Sequence, residues 1–200
     1  MRLSVDAEQP QADVLTQACG VLDEHGVVAV PTETFYGLAV SVFDNEACAR
    51  VFEIKGRPST KALPCIVSDL EQLGRVAREI SPLASELSSR FWPGPLTLIV
   101  PARATVAAAS ESGTIAVRVS SLPLARELAA VCGPLTATSA NVSGSPPAMT
   151  ADEVVAQLGE SVDLVLDGGA TFGGPASTIV DVTSGKPELV RPGAIAFREL

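Results

Sequence analysis

The sequence predicts an α/β protein with a mixed β-sheet and flanking helices. Three observations carry that reading. Helical and strand-like apolar patterns alternate along the chain. Proline and glycine, 15 and 16 residues, punctuate all of it. Hydrophobic residues make up 46% and charged residues 18%, against a usual charged share of about 25%. The last figure excludes intrinsic disorder, and the punctuation excludes a coiled coil. Two hundred residues is about the size of one domain, so residues 1–200 read as a single unit. A chain of that size needs no disulfide or metal to hold it.

The elements follow in order. Residues 11–25 read as a helix, because Val14, Leu15, Ala18, Val21 and Leu22 share a face and Gly26 follows as a stop. Residues 27–30 are a short apolar run between Gly26 and Pro31, a buried strand. A polar loop follows over 31–38. Asp44 caps a helix over 45–55, which stops at Gly56 and Pro58. Residues 63–67 are strand-like. Ser81-Pro82 is an N-cap followed by proline at the first helical position, and Leu83, Leu87 and Phe91 form the stripe behind it. Residues 96–100 and 115–119 are strands. Ser121 is the expected cap of a helix running to Val131, with Gly133 as its stop. Residues 135–138 form a short strand. Thr150 and Glu153 have capping-box spacing. Residues 164–166, 178–182 and 188–190 complete the sheet. The total is about seven strands and four or five helices.

Composition restricts function. No apolar run approaches the ~20 residues that span a bilayer, and the first residues do not resemble a secretory signal; a cytoplasmic location and no membrane association are expected. Cys19, Cys48, Cys65 and Cys132 are widely spaced and read as buried free thiols in a reducing compartment. No zinc site is expected. The single histidine, His25, reads as a helix C-terminal residue favoured by the dipole, which leaves little basis for a Ser-His-Asp or Cys-His centre. The formal charge of -9 argues against broad electrostatic capture of nucleic acid.

No Walker loop, dinucleotide fingerprint or nucleophile elbow is visible. What remains are polar clusters just after strands, where open α/β sheets bind ligands. The first is Thr32, Glu33, Thr34, Phe35, Tyr36 and Gly37. The second is Lys55, Arg57 and Lys61, three cations in seven residues, suited to clamping phosphates. The third runs from Thr138 to Gly144, where small polar residues in a turn suit an anion. Arg118 sits inside an apolar strand and demands an anionic partner, either a ligand or a structural carboxylate. Ser177 follows a glycine-rich loop over 168–174, and Arg191 lies near the C-terminus. Five of the 14 basic residues fall in these clusters. A local cationic pocket in an acidic protein suits a small anion such as nucleotide phosphates.

Seven motifs, taken together and in this order, resemble the YrdC-type domain family, more narrowly the threonylcarbamoyl-adenylate synthases. They are P-T-E-T-x-Y-G-L over 31–38, K-x-R-P over 55–58, W-P-G-P-L-T over 92–97, V-R-V over 117–119, S-A-N-x-S-G over 139–144, S-T-I-V-D over 177–181 and R-P-G over 191–193. The resemblance implies a twisted open sheet around a deep, positively charged cavity. It implies synthesis of threonylcarbamoyl-AMP and pyrophosphate from L-threonine, bicarbonate or CO2, and ATP, with Mg²⁺ accompanying the nucleotide. The product serves modification of the adenosine beside the anticodon in tRNA. Thr34, Arg118, Ala137 and Ser177 would bind threonine. Lys55, Arg57 and Lys61 would hold the ATP phosphates, and Ser139, Asn141, Thr114 and Arg191 would complete the nucleotide site. Lys55, Arg57, Ser139 and Asn141 are the expected catalytic set. Glu33 and Asp181 are supporting carboxylates without an assigned ligand.

Longer members of that family carry a second domain, so a chain ending at Leu200 resembles the short, single-domain form, with the 168–174 loop a candidate mobile segment. Expected partners are the proteins that transfer the adenylate to tRNA, with weak tRNA binding. Two other readings compete: a double-stranded RNA or tRNA-binding module of the same fold, and a related carbamoyl-adenylate chemistry that uses carbamoyl phosphate.

Overall fold

The computed structural model describes residues 1–56 and 62–200. Its order is β1 (Arg2–Ser4), α1 (Ala12–Asp23), β2 (Val28–Pro31), β3 (Tyr36–Ala39), α2 (Asn45–Lys55), β4 (Cys65–Ile66), α3 (Leu70–Val76) and α4 (Pro82–Phe91). There follow β5 (Leu96–Pro101), β6 (Thr114–Arg118), α5 (Pro123–Cys132), β7 (Leu135–Thr136), β8 (Thr138–Ser139), α6 (Ala151–Leu158), β9 (Leu164–Asp167), β10 (Thr178–Asp181) and β11 (Glu188–Arg191). The α/β class is as expected. The single sheet is not: the strands form two mixed sheets, a five-stranded β1-β9-β2-β3-β8 and a six-stranded β11-β10-β5-β6-β4-β7.

The strands not expected are β1 and β3, and the expected 135–138 strand is split into β7 and β8. β4, β7 and β8 have two residues each, and alternation needs about four. They nonetheless join distant parts of the chain. β4 pairs with β6 and β7, and β8 pairs with β3. The expected 31–38 loop is instead a hairpin. β2 and β3 run antiparallel with Pro31 opposite Tyr36, and the Thr32 amide donates to the Phe35 carbonyl at 3.1 Å. Residues 32–35 form its tip.

The core has two parts. Val14, Leu15, Ala18 and Leu22 of α1 and Leu124, Ala125, Leu128 and Ala129 of α5 pack on Val28, Val30, Leu164 and Leu166. A larger cluster includes Leu38, Val51, Leu73, Leu87, Leu96, Leu98, Ile115 and Val117. β5 is central to its sheet, between β10 and β6, and its Leu96 and Leu98 are fully buried.

The helix caps follow the sequence with one exception. The Asp44, Ser81 and Thr150 side chains accept backbone N–H groups of their helices. Glu153 accepts from the Met149 amide at 2.6 Å, one residue before its expected capping-box partner. Ser121 does not cap α5. That helix starts one residue later, after Leu122, and has no side-chain cap. Pro123 at the first helical position has no N–H of its own to leave unsatisfied and a φ already suited to the helix. Asp69 caps α3 through the Gln72 amide at 2.9 Å, a helix too short to show a strong stripe.

Two expectations about single residues are corrected. His25 lies beyond the end of α1 at φ 60°, and its Nδ1 meets Asp44 Oδ2 at 2.5 Å. That hydrogen bond first, and the charge of Asp44 second, raise its pKa. Cys19 and Cys132 are not free thiols: α1 and α5 pack side by side, and the two sulfurs form a disulfide between residues 113 apart in sequence. Spacing along the chain cannot reveal such a pairing. Cys48 and Cys65 are buried free thiols as expected, and burial pushes the Cys48 pKa up to about 12. Among the described residues, no helix is long and apolar enough to cross a membrane.

Reduction of the Cys19–Cys132 bond should lower stability by about 2–4 kcal/mol, the usual contribution of a native cross-link closing a long loop. Urea unfolding with and without reductant should show the midpoint fall, and the Cys19→Ser/Cys132→Ser variant should behave like the reduced protein in both conditions.

Candidate active site

A cavity of about 710 Å³ lies between the two sheets. One wall is the tip and strand of the β2–β3 hairpin with β8; the other is β5, β6, β10 and β11. Its volume suits a small molecule with several polar anchors.

Lys55 is the last residue of α2, and Gly56 ends the helix in the left-handed conformation at φ 57°. Lys55 is nearly fully buried. Its Nζ donates to the Ser139 carbonyl at 2.5 Å, the Asn141 carbonyl at 3.0 Å and Asn141 Oδ1 at 3.4 Å. The Ser143 amide returns a bond to the Lys55 carbonyl at 3.0 Å. Asn141 Nδ2 closes the turn on the carbonyls of Val142 and Ser145 at 2.9 and 2.7 Å. The lysine and the asparagine together therefore shape the 139–145 loop, which lines the cavity.

Arg118 ends β6 and lines the opposite wall. Its side chain is 10% exposed, and its Nη1 forms an ion pair with Glu33 Oε1 at the hairpin tip. Ser120 Oγ donates to Glu33 Oε2 at 2.5 Å. The structural carboxylate left open by the sequence is thus present, and Arg118 still faces the cavity. Burial first, and the charge of Arg191 second, lower the Arg118 pKa to about 10. It remains a cation at neutral pH.

Arg191 Nη2 donates to the Ser177 carbonyl at 2.8 Å and to Ser177 Oγ at 3.1 Å. Ser177 Oγ also lies 2.8 Å from Thr97 Oγ1. Burial lowers the Arg191 pKa. The R-P-G turn after β11 depends on a close approach. A Cβ at Gly193 would overlap the Ala176 carbonyl oxygen and the Ser177–Thr178 peptide, and the Ala194 amide donates to that same carbonyl at 3.0 Å. Only glycine permits this contact.

Thr34 lines the cavity, with Oγ1 3.2 Å from that of Thr32. Its carbonyl accepts from the Gly173 amide at 3.0 Å. Tyr36 Oη donates to the Gly169 carbonyl at 2.8 Å, so the 168–174 loop is tied to the hairpin twice. Burial pushes the Tyr36 pKa up to about 12, so it stays a donor. Ala137 lines the cavity, but its amide already donates to the Pro64 carbonyl at 2.7 Å.

Of the residues singled out in the sequence, Thr34, Lys55, Arg118, Ala137, Ser139, Asn141, Ser177 and Arg191 meet at this one cavity. Thr114 does not line it. It opens β6 at the end opposite Arg118 and hydrogen-bonds Ser110 Oγ. Arg57 and Lys61 lie outside the described residues. Asp181 Oδ1 is occupied by the amide and hydroxyl of Thr183. Ser120 carries no signal in the sequence: it lies just past a strand end in an apolar stretch, and nothing local marks it as the partner of a glutamate 87 residues away. Among the described residues, no cluster of three histidines, cysteines or carboxylates could hold a metal ion.

An α/β protein with a ligand-sized polar cavity between two sheets is the class these features define. The chain belongs to the Sua5/YciO/YrdC family, whose sequence profile, described as telomere recombination, matches residues 20–193. It is 39% identical to a threonylcarbamoyl-AMP synthase of Pyrococcus abyssi over 92% of this chain and 55% of that protein. It is 41% identical to the Chromohalobacter salexigens protein of the same name, over 89% of this chain and 97% of that protein. The chain thus spans about half the length of some curated relatives and nearly all of another. A crystal structure of P. abyssi Sua5 complexed with L-threonine superposes with a TM-score of 0.93 at 37% identity, covering 100% of this chain and 59% of that one. E. coli YciO superposes at 0.88 with 27% identity, over 98% and 97% of the two chains.

Replacing Lys55 with methionine should release the 139–145 loop. The loss should be about 1–3 kcal/mol, the range for leaving buried acceptors unsatisfied. Hydrogen exchange should show the Ser143 amide losing protection in that variant, while the α1 amides keep theirs.

Proposed function

We propose that this chain is an L-threonylcarbamoyladenylate synthase acting in the cytoplasm. The observation that carries the reading is the cavity lining: Lys55, Arg118 and Arg191 stand among Thr34, Ser139, Asn141 and Ser177 with no carboxylate among the described lining residues. Such a lining suits two substrates that carry oxyanion groups, the carboxylate of an amino acid and the phosphates of a nucleotide. The relatives' name and the threonine complex of the P. abyssi protein support the assignment of those substrates.

The chemistry needs no nucleophilic side chain. L-threonine's amine and bicarbonate or CO2 give a carbamate, with water leaving where bicarbonate is used and a proton passing to solvent where CO2 is used. A carbamate oxygen then attacks the α-phosphorus of ATP, supplied with Mg²⁺. The new P–O bond forms as the bond to the β-phosphate bridge breaks, and pyrophosphate leaves. The protein aligns the two anions and neutralises the transferring phosphoryl group. In this reading Arg118 pairs the threonine carboxylate, with Thr34, Ser177 and the Ala137 backbone beside it. Ser139 and Asn141, held by Lys55, face the nucleotide with Arg57, Lys61 and Arg191. The adenylate is unstable and passes to the proteins that transfer it to tRNA.

Pyrophosphate release with ATP, Mg²⁺ and bicarbonate should depend on L-threonine, and mass detection should find threonylcarbamoyl-AMP. Arg57→Ala and Ser139→Ala should each lower kcat/KM about 100-fold or more, the loss typical of removing one transition-state donor, with unfolding midpoints near wild type. Release driven equally by carbamoyl phosphate without threonine would replace this reading with the related carbamoyl-adenylate chemistry.

A further inference from the structure

Glu33 stands behind Arg118 rather than in the cavity lining. Its side chain is 15% exposed. One carboxylate oxygen pairs with Arg118 Nη1 and the other accepts from Ser120 Oγ at 2.5 Å. Ser120 is fully buried, and its Oγ in turn accepts the Leu122 amide at 3.2 Å. The carboxylate is thus fixed from both sides. Among the described residues Glu33 is the only hydrogen-bond partner of the Arg118 guanidinium. An arginine carries five N–H donors, so the rest of the fork remains for a ligand in the cavity that Arg118 lines.

The charge arithmetic at this end of the cavity depends on that carboxylate. Arg118 and Arg191 both line it, and Arg191 is close enough for its charge to depress the Arg118 pKa. Two unpaired arginines would form a strong trap for any multiply charged oxyanion. With Glu33 in place, the three groups carry one net positive charge rather than two. That balance suits the carboxylate of a zwitterion, whose ammonium two uncompensated cations would repel.

We propose that Glu33 is a specificity-determining residue: by pairing Arg118 from behind, it tunes this end of the cavity to a zwitterionic amino acid and against phosphate oxyanions. The amino-acid part rests on the function proposed above. Glu33 touches no substrate and acts through Arg118.

Calorimetric titration of the full chain with L-threonine and, separately, with inorganic pyrophosphate tests this. Wild type should bind threonine. Glu33→Gln keeps the shape and removes the charge. Its preference for threonine over pyrophosphate should fall about tenfold or more, mainly through tighter pyrophosphate binding. Glu33→Asp keeps the charge and should hold the preference within about threefold. A merely structural glutamate would give equal weakening of both ligands. An unchanged preference in Glu33→Gln would overturn the proposal. So would a tenfold loss in Glu33→Asp, which decides the matter even where the Gln variant does not fold. Wild type that binds no threonine would instead refute the proposed function, and tighter pyrophosphate binding by Glu33→Gln would then still establish the charge-balancing role.

Discussion

Two cations buried between two sheets impose the constraint on which the rest of this structure depends. Lys55 is 4% exposed and Arg118 8%. Removing a charge from water costs several kcal/mol unless partners replace the water. The chain answers in two ways. Around Lys55 it bends the 139–145 loop so that two carbonyls and an amide oxygen face the ammonium. Around Arg118 it folds a hairpin tip across the gap so that a glutamate reaches the guanidinium. The first ties the end of α2 to the loop after β8, and the second ties the six-stranded sheet to the hairpin of the five-stranded one.

Those ties explain why the site is made of strand ends. β8 brings Ser139 beside Gly37, and β6 carries Arg118 opposite Ile66 of β4. β10 lies parallel to β5, with Thr178 opposite Leu96, which sets Ser177 against Thr97. The W-P-G-P-L-T turn feeds β5 into that position. Trp92 Nε1 donates to the Leu96 carbonyl at 2.7 Å, and the Gly94 amide donates to the Val119 carbonyl at 2.9 Å. The motif therefore works through geometry, and none of its side chains before Thr97 needs to meet a ligand. Arg191 is held by Ser177 rather than by an acid, which keeps its charge available to the cavity.

Most of the site is legible in the amino-acid sequence, because its residues stand out against their surroundings. A lone arginine in an apolar strand, cations around a helix end, and small hydroxyls in glycine turns are each anomalous locally. The two-sheet architecture is not legible there, because it is set by pairings between distant segments, β4 with β6 and β7 and β8 with β3. Thr114 illustrates the limit of motif reasoning. It shares a strand with Arg118, but four residues along β6 is enough to take it out of the cavity. Ser120 shows the converse, a site residue with no local signal. The disulfide is hidden for the same reason as Ser120: both are contacts between distant segments, and only packing brings them together.

The acidic character of the chain and the cations of its cavity are two parts of one electrostatic design. A net charge of -9 acts on an approaching anion from many directions, but salt screens exposed charges beyond about 8–10 Å. Inside the cavity the low-dielectric walls weaken that screening, and a few placed cations outweigh many distant carboxylates. An anion in the cavity would therefore feel little of the whole protein and much of the cavity. The same reasoning makes Glu33 count for more than the 22 other acids: it is the carboxylate inside the shielded region, paired to a cation that lines the site. Position, not the total, sets which charges a ligand meets.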